Sequence, residues 1–231
     1  FFTPSWFNGY DLLFEGISLI VALLIAGYSW RIYQLSRENK YGYFSFAFLL
    51  IGLSLLFKGF TYGVLYYGTL RETVAVALSP AVGASLQFAD LFYRAAFFLQ
   101  MVVMLGAWLL LFFVSQKSRA RLHKYYEISQ IALFLYLILL ISIVSNFKFF
   151  VFYLTSAVIL GMTLLNYYKN YLNTDKNKNA RLVMVSFFFM LLSNLSFVFV
   201  FMWDIFYVLG EVFLLIGFLL LLYAYRQVGR R

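Results

Sequence analysis

Cysteine is absent from this 231-residue chain, histidine occurs once, proline twice, and Asp, Glu, Lys and Arg together make up only 12% of it. Each shortage excludes something. Without cysteine the chain has no disulfide, no thiolate nucleophile and no thiolate metal ligand of its own. The single histidine, His123, sits in a basic loop, so bis-His haem ligation and His-based hydrolase sites lack their second ligand. The loops carry no Ser/His/Asp set, no phosphate-binding glycine loop and no acidic metal cluster. An enzyme is therefore not expected, and no cofactor or metal is expected with it.

The composition is dominated by apolar residues, at 64%, with aromatics at 23%, and so little polar surface cannot clothe a water-soluble domain. The solvent implied is lipid. A helix needs roughly 20 apolar residues to cross a hydrocarbon core, and such runs lie at about 10–33, 42–67, 88–115, 127–145, 147–170, 181–203 and 205–226. The expected fold is an all-α membrane protein, a seven-transmembrane-helix bundle in which residues 1–231 form one domain, multi-pass in the cell (plasma) membrane.

Basic residues are retained on the cytoplasmic side of a membrane. Arg31, Arg37 and Lys40 lie in the first loop; Lys117, Arg119, Arg121 and Lys124 in the third; Lys169, Lys176, Lys178 and Arg181 in the fifth; Arg226, Arg230 and Arg231 in the tail. That is 14 of 18 bases on one side, while six of nine acids fall towards the other. The expected orientation has the N-terminus outside and the C-terminus in the cytoplasm. The net charge of +9 follows from this rule and from attraction to anionic headgroups, so no nucleic-acid partner is expected. The opening Phe1-Phe2-Thr3-Pro4-Ser5-Trp6-Phe7 shows no basic n-region of a signal peptide and reads as an interfacial aromatic segment at the outer headgroups. Tyr10, Trp30, Tyr41, Tyr43, Trp203, Tyr223 and Tyr225 read as interfacial belts. The long second loop, residues 68–87 around Pro80, reads as an external lid or re-entrant helix.

Asp90-Leu-Phe-Tyr opens the third run and Asp204-Ile-Phe-Tyr the seventh, and the runs before each also echo one another. A parallel 3+1+3 internal repeat is one reading, and chance matching in a Phe- and Leu-rich chain is the other. The plan resembles microbial rhodopsins and the SWEET sugar carriers in architecture. The rhodopsin resemblance implies a Schiff-base lysine in the last span, and residues 205–225 contain no Lys. The SWEET resemblance implies Pro-Gln pairs and Pro hinges within spans, whereas the only prolines are Pro4 and Pro80. Neither family is assigned.

Ionisable residues inside apolar runs carry the functional signal, because an unpaired charge in hydrocarbon costs several kcal/mol. Glu15 lies about 8 Å below the outer surface, and Lys58, Arg94 and Glu211 about 9–11 Å below it, at 1.5 Å per residue. Asp11 with Glu15, Asp90 with Arg94 and Asp204 with Glu211 share helix faces. These seven residues form a ligand-binding layer, a buried charge network that fixes the bundle's register, or a place where a partner subunit docks from outside. In the first case Lys58 and Arg94 bind an anion and the acids hold them or take protons. Ser54, Thr61, Gln100 and Asn194 extend polar groups towards the bilayer centre, as a pathway or as helix-packing hydrogen bonders.

Three functions fit. The leading expectation is a receptor-like or sensory protein with a charged, outward-facing pocket for a small polar or anionic ligand. A small-solute or proton-coupled transporter and a non-catalytic subunit of a larger membrane complex are the alternatives. The expected partners are the lipid bilayer, a small polar or anionic ligand from outside, and a membrane or cytoplasmic protein.

Overall fold

The computed structural model describes residues 4–7, 9–66, 72, 88–116, 149–174 and 177–228. The described residues are helical and contain no strand. A 3₁₀ turn at Ser5–Phe7 precedes six long helices: α1 Tyr10–Ser36, α2 Asn39–Tyr66, α3 Phe88–Ser115, α4 Phe149–Asn173, α5 Lys178–Val198 and α6 Ile205–Val228. All six contain a stretch long and apolar enough to cross a membrane. Six such helices are found where seven were expected, because the run at 127–145 lies outside the described residues. So do His123 and, apart from exposed Glu72, the loop at 68–87.

The burial pattern is that of a bundle in lipid. On α1 the buried positions are Asp11, Glu15, Ser18, Val21, Ala22, Ile25, Ala26, Ser29 and Ile32, recurring every three or four residues as one helix face does. Leu13, Ile17, Ile20, Leu23, Leu24 and Leu35 of the same helix are exposed. The polar groups Asp11, Glu15, Ser18 and Ser29 all face inward, while a row of Leu and Ile side chains faces outward. That arrangement is stable only where the surroundings are as apolar as the exposed side chains. Trp6 and Trp203 are exposed at one end, and Trp30, Tyr43 and Tyr223 at the other, as headgroup-level aromatics are.

Each helix packs chiefly on two neighbours, and the pairs α1–α2, α2–α3, α3–α4, α4–α5, α5–α6 and α6–α1 close a ring. Two levels of the lumen fix the relative directions. Lys58, Gln100, Tyr153 and Phe197 line one small cavity, whereas Lys40, Ser115, Asn170, Asn179 and Tyr225 line another. Thus α3 and α4 both begin near the first level and end near the second. Glu15 and Glu211, near the starts of α1 and α6, meet Lys58, near the end of α2.

Helix ends depart from the expected spans for local reasons. The sixth run was expected to continue to 203, but α5 stops at Val198. The Phe199 N–H bonds Ser196 O and the Met202 N–H bonds Phe199 O, so the chain tightens into turns that satisfy its carbonyls. Phe-Val-Phe-Met-Trp at 199–203 is as apolar as the helix before it, and hydropathy carries no mark of that stop. At the close of α1, Arg37 adopts a left-handed conformation at φ 57° and its N–H bonds Tyr33 O at 2.8 Å, a capping geometry more often filled by glycine. Gly217 has a specific packing reason: a Cβ there would lie 3.0 Å from Ser186 O and Met190 Cγ, so α5 and α6 approach closely only because the position is bare.

Candidate functional site

Three of the seven charged residues picked from the sequence meet inside the ring. The Lys58 ammonium lies 2.8 Å from Glu15 Oε1 and 2.5 Å from Glu211 Oε1. Lys58 is 7% exposed, Glu15 2% and Glu211 0%. Three separate helices supply these groups, each placing its charge on the inward face because the outward face meets lipid.

The remaining four divide. Asp11 is buried, and its Oδ1 accepts from the backbone N–H groups of Gly9 and Leu12 at 2.9 and 2.8 Å. It serves the first turn of α1, where backbone donors lack helical partners. Asp204 is exposed, in the turn that precedes α6. Asp90 and Arg94 belong to α3, but their side chains lie outside the described residues.

Aromatic rings wall the triad. The Lys58 Nζ is 5.7 Å from the ring centre of Tyr62, 5.5 Å from Phe197 and 5.4 Å from Tyr207, within range of cation–π attraction. The Tyr207 hydroxyl donates to that of Tyr62 at 3.3 Å. Tyr153 stacks on Phe197 with ring centres 4.7 Å apart. Phe7 was expected at the headgroups with its neighbours; it is buried instead and meets Phe14 and Tyr207 at 5.7 and 6.3 Å. It plugs the gap between α1 and α6, where burying the ring removes more apolar area from water than the interface would. Tyr62 and Tyr207 escaped the sequence reading, although Tyr62 is one turn after Lys58 and Tyr207 one turn before Glu211, the spacing that places side chains together. With 19 tyrosines in the chain, nothing marked these two as facing the charges.

The charge count of the triad is its chief chemical property. Two carboxylates face one ammonium, so the fully ionised triad carries one net negative charge. Among the described residues Glu15 Oε2 and Glu211 Oε2 have no hydrogen-bond partner, which leaves a proton-accepting position on each acid. A buried net charge is costly, and the triad becomes neutral on binding one proton.

Beneath the triad lies a cavity of about 20 Å³, bordered by Lys58, Gln100, Trp108, Ser193 and Asn194 among others. Of the pathway candidates, Gln100 and Asn194 border it, and the Asn194 amide donates to Met190 O of its own helix at 2.9 Å. Ser54 Oγ donates to Gln100 O at 3.0 Å, which ties α2 to α3. Thr61 bonds Phe57 O one turn back and joins nothing else to the site.

A wider cavity, about 310 Å³, is at the opposite end. It is lined by side chains of α2 to α6, among them Phe44, Ser115, Tyr167, Asn170, Asn179 and Tyr225. Tyr225 stacks on Phe44 with centres 4.8 Å apart. Tyr41 and Tyr225, expected in the aromatic belts, thus face the cavity, whereas Tyr10, Trp30, Tyr43, Trp203 and Tyr223 are exposed. Arg31, Arg37, Lys40, Lys169, Lys178, Arg181 and Arg226 are all exposed around this end.

Among the described residues, no group of three or more His, Asp or Glu side chains gathers as a metal site would require. Compared with known proteins, the chain matches no family model, no curated protein and no solved structure.

Proposed function

We propose that this chain is a proton-linked carrier of a small polar or anionic solute, and not an enzyme, with its charged triad as the proton site. The supporting observation is the contrast along one lumen. At the triad the ring of helices is filled by an ion pair and aromatic rings, and at the other end it widens into a cavity of about 310 Å³, a size that accepts a small ligand. A carrier closed on one side and open on the other presents this arrangement. A receptor-like module with an outward pocket for an anion needs Lys58 available to the ligand, and two carboxylates occupy it.

The proposal includes seven spans, with the triad towards the outside of the plasma membrane and the wide cavity towards the cytoplasm. The basic residues around the wide cavity support that orientation. Connectivity supports the seventh span: Ser115 lines the wide cavity while Phe149, at the start of α4, meets Phe97 at a ring-centre distance of 4.1 Å near the triad level. The connection from α3 to α4 therefore joins opposite ends of the bundle, and the apolar run at 127–145 has the length for that crossing. The reading keeps the 3+1+3 repeat, which rests on the echoed runs at Asp90-Leu-Phe-Tyr and Asp204-Ile-Phe-Tyr.

Because the chain has no cysteine, single-cysteine variants test the proposal without knowledge of the solute. Ala180→Cys places a thiol at the wide cavity, and labelling it with a membrane-impermeant maleimide reports whether that end is open. Labelling relative to an exposed control, Leu172→Cys, should change with pH along a one-proton curve, and the change should vanish in Ala180→Cys/Glu211→Gln. A ratio independent of pH in the parent would leave the triad as a fixed structural element and remove the proton-linked reading.

A further inference from the structure

The small cavity beneath the triad has donors and acceptors in excess of their partners. Trp108 and Ser193 both border it and are 1% and 0% exposed, and among the described residues the Trp108 indole N–H and the Ser193 hydroxyl have no hydrogen-bond partner. Lys58 borders it too. An ammonium has three N–H donors; Glu211 Oε1 accepts one and Glu15 Oε1 lies 2.8 Å away as an ion-pair partner, which leaves at least one for another acceptor. On the acceptor side, the Asn194 amide nitrogen is spent on Met190 O, which leaves its carbonyl oxygen with hydrogen-bonding capacity.

Size and charge narrow the occupant. About 20 Å³ accommodates one water-sized molecule and no organic solute. An anion would sit beside a triad that is negative when ionised, and a cation beside an ammonium and an indole donor. A neutral molecule that both accepts and donates satisfies every group. Buried waters of this kind make about three hydrogen bonds to polar atoms that lack other partners.

We infer that the cavity bordered by Lys58, Trp108, Ser193 and Asn194 is a binding site for a single water molecule, held by the indole N–H and a remaining N–H of Lys58. This water gives the triad a hydrogen-bonded contact on its underside, in the direction of the wide cavity. The triad's proton is then exchangeable from the open end even while the aromatic plug closes the other; that consequence rests on the proton-linked reading, whereas the water site itself does not.

Indole NMR of the whole chain in detergent micelles tests the site. The chain has four tryptophans, so ¹⁵N-labelled protein gives four indole signals, and Trp108→Phe identifies one by its loss. That signal should show a cross-relaxation peak to a long-lived water, and the peak should disappear in Asn194→Leu, whose side chain fills the space, while the other three signals stay unchanged. A Trp108 indole without a water peak in the parent protein overturns the site. The two proposals fail separately. A water peak together with pH-independent labelling of Ala180→Cys would keep the water and remove the carrier's proton linkage; pH-dependent labelling that requires Glu211, without the peak, would do the reverse. Should Asn194→Leu not fold, Ser193→Ala removes a partner with little change of volume, and its water peak should weaken if Ser193 contributes to the site.

Discussion

At the end where Glu15, Lys58 and Glu211 meet, charged groups are buried and the rings of Tyr62, Phe197 and Tyr207 close around the ammonium. At the other end, Phe44, Tyr167 and Tyr225 stand around open space, with the charges outside at the rim. Both ends use aromatics, so aromatic content does not separate them. The placement of charge does. A buried ammonium has to be surrounded by acceptors and ring faces, or its desolvation goes uncompensated, and the side chains that surround it fill the lumen. Long basic side chains near a helix end reach headgroup and water instead, and draw nothing inward. Closure at one end and openness at the other follow from the depth at which the charges sit.

The sharpest way to break this contrast is to remove the ammonium. Lys58→Met leaves two buried carboxyl groups without a counter-charge, and loss of one partner of a buried ion pair costs about 3–5 kcal/mol. Thermal unfolding in detergent should show a large drop. The triple variant Glu15→Gln/Lys58→Met/Glu211→Gln leaves no ion unpaired and should regain most of the loss. A single variant as stable as the parent would mean that the triad does not organise its end of the bundle.

A smaller change tests the aromatic half of the closure. A Cβ at Gly210 would lie 2.6 Å from Phe197 Cε1, closer than atoms pack, so Gly210→Ala has to move the ring that faces Lys58. Overpacking of this kind costs about 1–3 kcal/mol. Phe197→Leu in the same chain makes room, and the double-mutant cycle should show strong favourable coupling between neighbours. Additive losses would show that the ring does not bear on position 210.

Much of this was legible because lipid reverses the usual pattern. Runs of Leu, Ile and Phe mark spans without any periodicity, and an ionisable residue within such a run has few acceptable places, which is why Glu15, Lys58 and Glu211 were named together. Depth along a helix, however, does not say which way a side chain points. Asp204 was placed with Glu211 by a spacing of seven, yet it lies in the turn before α6, where water reaches it. Asp11 shares a face with Glu15 but spends its oxygen on the backbone of the first turn. The wide cavity left no mark in the sequence. It is made of Tyr, Asn, Ser and Val spread over five helices, residue types that read equally well as belt or packing, and only the ring order of the helices brings them together. Ser54 illustrates the same limit: its partner is a backbone carbonyl on another helix, and backbone groups have no signature in a sequence.

The smallest expected effect lies at the open end. The Asn166 amide donates to Ser115 Oγ at 3.0 Å, joining α4 to α3 beside the wide cavity. Interhelical hydrogen bonds in membranes contribute about 0.6 kcal/mol on average, because the separated helices also find partners. Here the hydroxyl also donates to Phe112 O of its own helix, so it is not orphaned when the amide is removed. Asn166→Ala should therefore lower the melting temperature by only about 1–2 °C, and labelling at Ala180→Cys should remain intact. A loss as large as that of Lys58→Met would mean that the open end is held as tightly as the closed one. Depth of charge would then no longer account for the difference between them.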